Sequence, residues 1–349
     1  MDRKKLEALR AKYAAAAPGA SHHPQFKKAM DAVQAGTDRR PKPYEGVSSL
    51  LGAPLRLDAP KQAGFAGLDV ALVGVPMDLG VTNRSGARLG PRAVRGIERI
   101  GPYHQVHRVV PLSALDAADV GDVPLRSRFS LADSIEDIAA FFRRIAEAGV
   151  VPLAVGGDHS ISFPILQALG AGRPVGLVHI DAHCDTGAPL EGEKFFHGGP
   201  FRQAVLAGVL DPDRTIQIGI RGGAEYLWEF SYASGMTVIH AEEFQRLGLA
   251  KTIRKMREVV GSGPTYLSFD IDALDPAFAP GTGTPEAGGL STREAMELVR
   301  GCAGLDIVGG DVVEVAPQYD PTTNTAQAAA QMLFEMLALV ALQRGRKAR

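Results

Sequence analysis

The stretch of sequence that decides the fold is VGLVHIDAHCD, residues 175–185. Its first six residues form an almost continuous apolar run, which is typical of a parallel strand that is buried on both faces. After that run come Asp181, His183 and Asp185, spaced two residues apart. Side chains alternate along an extended chain, so these three can point to the same side. The stretch therefore predicts a buried strand that ends in a cluster of polar ligands.

Two other apolar runs end in the same kind of residue. Asp270 and Asp272 follow the run 265–269 with the same spacing of two, and His159 follows the run 151–155 within the sequence GGDHS. In open parallel sheets, ligands bind beyond the carboxyl ends of the strands. Two imidazoles and four carboxylates are therefore expected to meet at one edge of the sheet. His179 lies within an apolar run, so we expect it to be a core histidine.

The six side chains predict a metal site. A single Asp at a strand end is usually a helix cap or a turn residue. Several buried carboxylates are different, because they carry a large desolvation penalty unless a cation lies beside them. No Lys or Arg occurs within either acidic cluster. Six ligands are too many for one small ion, so we expect two divalent ions bridged by carboxylates. Carboxylates with some imidazole suit Mn²⁺, and Ni²⁺ is the alternative.

The rest of the chain alternates between strand-like and helix-like segments, which indicates an α/β fold with a mostly parallel central sheet and helices on both faces. The predicted strands are Leu68–Val75, Val151–Val155, Val175–Ile180, Thr215–Ile218, Met236–Ile239, Thr265–Phe269 and Ile307–Val313. The main predicted helices are Leu131–Ala148, Phe201–Gly208, Glu242–Val260, Thr292–Ala303 and Thr325–Leu342. We expect a single domain over residues 46–349, preceded by an N-terminal extension, residues 1–45, with helices near 2–17 and 24–35.

Composition excludes several classes of partner. The 349 residues include 38 basic and 39 acidic side chains, and a net charge of −1 gives no reason to expect nucleic acid or an anionic membrane as partner. The two cysteines do not make a disulfide scaffold, and no run of 18 apolar residues predicts a membrane span. The first residues lack the apolar core of a signal peptide. We expect a cytoplasmic protein whose partner is a small molecule or another copy of the chain.

Five segments resemble the ureohydrolases, the family of arginase, agmatinase and the guanidino-acid hydrolases. They are Gly74–Arg95, Gly156–Ser160, Asp181–Asp185, Ser268–Leu290 and Gly309–Asp320. The resemblance extends from about residue 70 to the end. It is closer to agmatinase and the guanidino-acid enzymes than to arginase, because of Thr82–Arg88 and His197–Arg202. It implies an arginase-like three-layer α/β/α fold, a binuclear manganese site, and a trimer or a hexamer of two trimers.

The resemblance also implies a role for each site residue. It divides the six ligands into His159 with Asp185 on one ion, His183 with Asp272 on the other, and Asp181 with Asp270 as bridges. Two cations would lower the pKa of a water enough to make it a nucleophile near neutral pH. His197 matches the residue that shuttles a proton to the departing amine, and Glu314 the carboxylate that pairs with the guanidinium group. The implied activity is hydrolysis of a linear amidine to urea and an amine.

The substrate tail stays open at the level of sequence. The loop Thr186–Phe196 carries Glu191 and Glu193, which would attract an amine tail as in agmatine. Lys194 or Arg202 would instead attract the carboxylate of a guanidino acid. Apolar residues at the end of this loop, before His197, favour a third possibility. This is free guanidine or a methylated biguanide such as metformin, with nickel as the metal.

A different class of function is a non-catalytic subunit that assembles with an active homologue. Loss of metal ligands would indicate such a role, and all six are present. Metal analysis distinguishes the two, since an inactive partner should bind well below two ions per chain.

Overall fold

Eight strands form one sheet in which every strand pairing is parallel. The computed structural model describes residues 2–15, 21–34, 44–60, 64–98 and 100–347. Its strands are β1 (Val70–Val75), β2 (Ala117–Asp122), β3 (Val151–Gly156), β4 (Val175–Ile180), β5 (Leu210–Ile220), β6 (Thr237–His240), β7 (Pro264–Asp270) and β8 (Asp306–Val313). Their order across the sheet is β2-β1-β3-β8-β7-β4-β5-β6. The α/β class and the parallel sheet are confirmed.

Helices cover both faces of this sheet. The α-helices of the described residues are α1 (Arg3–Tyr13), α2 (Pro24–Gln34), α3 (Gly90–Arg95), α4 (Pro111–Ala114), α5 (Leu131–Glu147), α6 (Ser162–Leu169), α7 (Pro200–Leu206), α8 (Glu229–Ser234), α9 (Ala241–Leu247), α10 (Leu249–Val260), α11 (Thr292–Gly301) and α12 (Asn324–Lys347). One hydrophobic core lies between the sheet and α9 to α12, and a second lies between the sheet and α5 to α7. The predicted three-layer α/β/α arrangement is confirmed.

The strands read as apolar runs because both of their faces are covered. In β1, Val70 and Leu72 point into the first core, whereas Ala71, Val73 and Val75 point into the second. Successive side chains of a strand face opposite sides of the sheet, so two cores require apolar residues at every position. This explains why period-two alternation is absent from the sequence of β1.

Two of the differences from the sequence-based prediction have a clear physical cause. The predicted helix Glu242–Val260 is two helices, α9 and α10, because Gly248 ends α9 with φ of 73°. Strand β2 was not predicted, because its sequence AADVGD is too polar to be an apolar run. It is an edge strand, and its buried Asp119 is held by Arg95, whose Nε lies 2.8 Å from a carboxylate oxygen.

Helix α12 is an apolar helix that packs in the hydrophobic core. Its segment Asn324–Gly345 is the one helix in the described part of the chain that is long and apolar enough to cross a bilayer, by length and composition alone. Its most apolar window is 83% buried inside the fold, as is usual for a core helix.

The N-terminal helices α1 and α2 contribute no buried residue, which fits a segment outside the main domain. The end of the first predicted helix, near residue 17, lies outside the described residues. The extension over residues 1–45 stays a prediction.

The turn after β3 packs closely against the backbone at the end of β1, and a substitution at Gly157 tests this packing. A Cβ atom at Gly157 would lie 2.2 Å from the carbonyl oxygen of Met77 and 2.6 Å from that of Val75. Both are backbone atoms, so the strands must shift to admit it. We expect Gly157→Ala to lower the free energy of unfolding by about 1–3 kcal/mol in urea denaturation. Gly172→Ala is the matched control, since a Cβ there meets nothing within 4 Å. Equal stability of the two variants would contradict the close packing of this connection.

Candidate active site

The order of the strands brings the predicted ligands together. Strands β3, β8, β7 and β4 are neighbours in the sheet, and their carboxyl ends lie at one edge. His159 follows β3, Asp270 ends β7 and Asp181 follows β4. Glu314 follows β8, and its N–H donates to the carbonyl oxygen of Gly157 at 2.9 Å. Residues far apart in sequence therefore share one site because their strands are adjacent.

The first ligand group consists of His159, Asp181, Asp185 and Asp270, whose ligand atoms lie within 4.8 Å of one another. The Nδ1 atom of His159 lies 3.1 Å from Asp181 Oδ2, 2.9 Å from Asp185 Oδ2 and 3.1 Å from Asp270 Oδ2. His159 is fully buried, and this nitrogen makes no hydrogen bond with the described residues. A buried nitrogen that faces three carboxylate oxygens without bonding to any of them suits a cation placed between them.

The second ligand group consists of Asp181, His183 and Asp272. The Nδ1 atom of His183 lies 3.2 Å from Asp272 Oδ2 and 3.5 Å from Asp181 Oδ1. Asp181 thus belongs to both groups and offers one oxygen to each. Asp270 belongs only to the first group, and its Oδ1 accepts from the backbone N–H of Asp272 at 2.8 Å. The shared position predicted for Asp181 agrees with this geometry, whereas a bridging role for Asp270 stays a prediction.

Strand alternation does not produce this convergence. Strand β4 ends at Ile180, and Asp185 has φ of +52°, in the left-handed region. Asp272 lies in a short 3-10 turn, Ile271–Ala273, which is capped by the side chain of Asp270. The predicted extended backbone is therefore wrong at these positions, although the predicted residues do meet. Turns at the strand ends direct them inward.

The raised pKa values of His159 and Asp270 indicate that the first ligand group would be stabilised by additional positive charge. Burial alone would lower the pKa of His159, but the nearby carboxylates of Asp181, Asp185 and Asp270 outweigh it and hold this pKa well above its usual value. Burial, and then the charges of Asp272 and Asp181, raise the pKa of Asp270 well above its usual range. Without metal, protons are therefore retained where the carboxylates crowd together. Metal ions would take the place of this charge.

His197 and Glu314 form a buried pair beside the ligand groups. His197 Nδ1 lies 2.8 Å from Glu314 Oε1, and His197 Nε2 lies 2.7 Å from the hydroxyl of Thr82. Burial alone would lower the pKa of His197, but the charge and hydrogen bond of Glu314 raise it to about 9. At neutral pH this imidazole therefore carries a proton that it can donate.

One carboxylate oxygen of Glu314 accepts hydrogen bonds, and the other has no hydrogen-bond partner among the described residues. Its Oε1 also accepts from the backbone N–H of His159 at 2.8 Å, whereas its Oε2 is buried and makes no hydrogen bond with the described residues. Its backbone is in the left-handed region, with φ of 64°, a conformation that is uncommon outside glycine and is often found at functional sites. The free oxygen is an acceptor that a bound N–H group can use.

Two buried polar residues support the ligands, a role that was not predicted for them. His179 is buried in β4 as expected, but its Nε2 lies 2.6 Å from Asp181 Oδ2. Gln217 Nε2 lies 3.0 Å from His179 Nδ1 and donates to the carbonyl oxygen of Cys184 at 2.6 Å. His179 is thus a partner of the shared ligand as well as a core residue. The available signal was a pair of polar residues within the apolar strands β4 and β5.

The loop Thr186–Phe196 places its charged residues at an exposed hairpin tip. Leu190 and Glu193 pair across a tight turn in which Glu191 has φ of 50°. Phe195 stacks on Phe163, with 5.7 Å between ring centroids. The aromatic residues before His197 therefore pack against the protein itself, so they give no support to a preference for small or methylated substrates.

A parallel sheet that carries two candidate metal-ligand groups and a buried histidine–glutamate pair at one edge fits a metal-dependent hydrolase with an α/β fold. Residues 68–338 match the Arginase family, and this chain belongs to that family.

Relatives in this family are similar over most of their length. The chain is 47% identical to guanidinopropionase from Pseudomonas aeruginosa, covering 88% of this chain and 98% of that protein. It is also 47% identical to mitochondrial agmatinase from Gallus gallus, covering 86% of this chain and 89% of that protein. Among solved structures, proclavaminate amidino hydrolase from Streptomyces clavuligerus superposes with a TM-score of 0.82 at 35% identity, covering 86% of this chain and 99% of that chain.

The pairing of His197 with Glu314 can be tested by measuring the pKa of His197. Because Glu314 raises the pKa of His197, Glu314→Gln should lower it from about 9 to its unperturbed value or below. NMR titration of the His197 ring in the metal-free protein measures this. The stability that the pair contributes should be fully present below about pH 6.5 and lost as the pH rises through about 9. An unchanged His197 pKa in the variant would contradict the pairing.

Proposed function

We propose that this protein is a ureohydrolase that uses two divalent metal ions per chain to hydrolyse a C–N bond of a guanidino compound, releasing urea and an amine. The observation that carries the proposal is the pair of ligand groups joined at Asp181, beside the unpartnered Glu314 oxygen. Relatives named guanidinopropionase and agmatinase support the same reaction class.

The donors of the two ligand groups fit the proposed ions. Five of the six are buried or nearly so, and His183 alone is partly exposed. Four carboxylates and two imidazoles favour Mn²⁺, and Ni²⁺ is the alternative. When bound, the ions would supply Lewis acidity and lower the pKa of a water toward neutrality.

The chain's own residues provide the remaining steps. Glu314 Oε2 is free to accept an N–H of the guanidinium group, which orients the guanidinium carbon toward the ligand groups. His197 is protonated at neutral pH, so it can donate a proton to the departing amine nitrogen. The hydroxyl of Thr82, 2.7 Å from His197 Nε2, holds the ring in place. Water loses one proton to solvent as its oxygen adds to the guanidinium carbon, and the C–N bond breaks as His197 protonates the amine nitrogen. The remaining hydroxyl proton of the adduct returns to His197 as the carbonyl of urea forms.

The assembly and the compartment are further proposals. The ureohydrolase resemblance supports a homo-oligomer, a trimer or a hexamer, and a hetero-oligomer with a homologue is the alternative. The cytoplasmic location stays a prediction.

The reaction is tested by urea release after chelation and reconstitution. We expect the metal-free protein to be inactive and Mn²⁺ to restore urea release from at least one of agmatine, guanidinopropionate and guanidinobutyrate. Guanidine and metformin complete the panel, and each substrate is also assayed with Ni²⁺. Activity confined to guanidine or metformin would replace the proposed substrate class. Absence of urea from every compound with both metals would overturn the enzymatic proposal.

The role of His197 is tested by a variant that keeps the metal ligands. His197→Asn should lower kcat by about 10²- to 10⁴-fold, since general acid catalysis contributes this much. Metal content, measured by mass spectrometry, should stay at two ions per chain. His23→Asn, in the exposed N-terminal segment, is the control and should leave kcat unchanged. A His197 variant with normal kcat would remove this residue from the mechanism.

A further inference from the structure

A fully buried carboxylate, Asp311, lies in β8 below the first ligand group. It accepts hydrogen bonds from the hydroxyls of Ser162, Tyr266 and Ser268, each at 2.6 Å. No ion pair among the described residues includes Asp311. A buried carboxylate without a cation is stable only when hydrogen bonds satisfy its oxygens, and three hydroxyls do so here. Burial and the Asp311 charge raise the pKa of Tyr266 well above its usual value, so its phenol keeps the proton it donates.

One of these three hydroxyls connects Asp311 to a predicted metal ligand. Ser268 Oγ lies 2.6 Å from Asp311 Oδ1 and 2.8 Å from His159 Nε2. A carboxylate only accepts hydrogen bonds, and a hydroxyl has a single proton. Ser268 therefore gives its proton to Asp311 and accepts from His159. This order requires the hydrogen of His159 to be on Nε2.

A hydrogen on Nε2 of His159 determines the state of its other ring nitrogen, Nδ1. With Nε2 protonated, Nδ1 is the nitrogen that can offer a lone pair, and Nδ1 is the atom that faces Asp181, Asp185 and Asp270. Metal-bound histidines commonly donate their second N–H to a partner that fixes the tautomer and the ring orientation. We propose that Asp311 is a positioning residue that acts through Ser268 to hold His159 ready for the ion of the first ligand group. This inference rests on the two-ion site proposed above.

The proposal predicts an effect on one ion only. The second ligand group consists of Asp181, His183 and Asp272, and in the described part of the chain none of these side chains hydrogen-bonds to Ser268 or Asp311. Loss of the relay formed by Asp311, Ser268 and His159 should therefore weaken the ion of the first group and spare the other. A general loss of folding would weaken both ions.

Two serines provide matched variants for the experiment. Ser268→Ala and Ser162→Ala each remove one 2.6 Å hydroxyl hydrogen bond from Asp311, but only Ser268 reaches His159. Calorimetric titration of the metal-free full-length chain with MnCl₂ measures the affinity for each ion. We expect Ser268→Ala to weaken one of two ions by about 10- to 100-fold and Ser162→Ala to match the unmodified protein. The two variants should have similar thermal stability without metal.

A variant of Asp311 tests the same relay without relying on Ser268→Ala alone. Asp311→Asn retains the side-chain volume and should reproduce the selective loss, and the double variant with Ser268→Ala should show no additional loss for that ion. Normal affinity for both ions in Ser268→Ala, or equal losses in Ser268→Ala and Ser162→Ala, would overturn the relay. Failure of the unmodified protein to bind two ions would instead overturn the proposed function.

Discussion

The crowding of four carboxylates at one buried edge of the sheet is the constraint on which the site depends. Asp181, Asp185, Asp270 and Asp272 lie within two ligand groups that share Asp181. Without positive charge between them, mutual repulsion and desolvation would favour neutralisation by protons. Burial and the neighbouring carboxylate charges raise the pKa of Asp270, and the carboxylates around His159 raise its pKa in spite of burial. The surrounding fold keeps these groups close at a cost in stability, and bound cations would turn that arrangement into a catalytic site.

Strand order determines which residues meet at this edge. Strands β3, β8, β7 and β4 are neighbours, although they are separated by up to about half of the chain in sequence. Asp270 of β7 pairs with Val313 of β8, the residue before Glu314. The strand register therefore places Glu314 beside the ligands that follow β7. The proposed metal ligands and Glu314 are therefore adjacent because their strands belong to one sheet. Buried hydrogen bonds from His179 to Asp181 and from Ser268 to His159 then fix the orientation of two ligands.

Much of this could be predicted from the sequence. The apolar runs identified seven of the eight strands, and the acids and histidines at their ends identified residues that the structure brings together. Strand β2 was missed because an edge strand with Asp119 paired to Arg95 has no apolar run. The supporting partners were missed for a different reason. Ser268 lies 109 residues from His159, and Asp311 lies 43 residues from Ser268, so only the strand order reveals their contact. The substrate tail could not be predicted, because Glu191, Glu193 and Lys194 lie on an exposed hairpin, whereas Arg202 lies in α7.

The central claim is that Asp181 joins two metal sites at the end of β4. The most direct test is anomalous diffraction from crystals of the full chain soaked with Mn²⁺. The account predicts two manganese peaks about 3.5–4 Å apart, one beside His159 and one beside His183, with Asp181 coordinating both. A single peak, or two peaks that do not share Asp181, would contradict it.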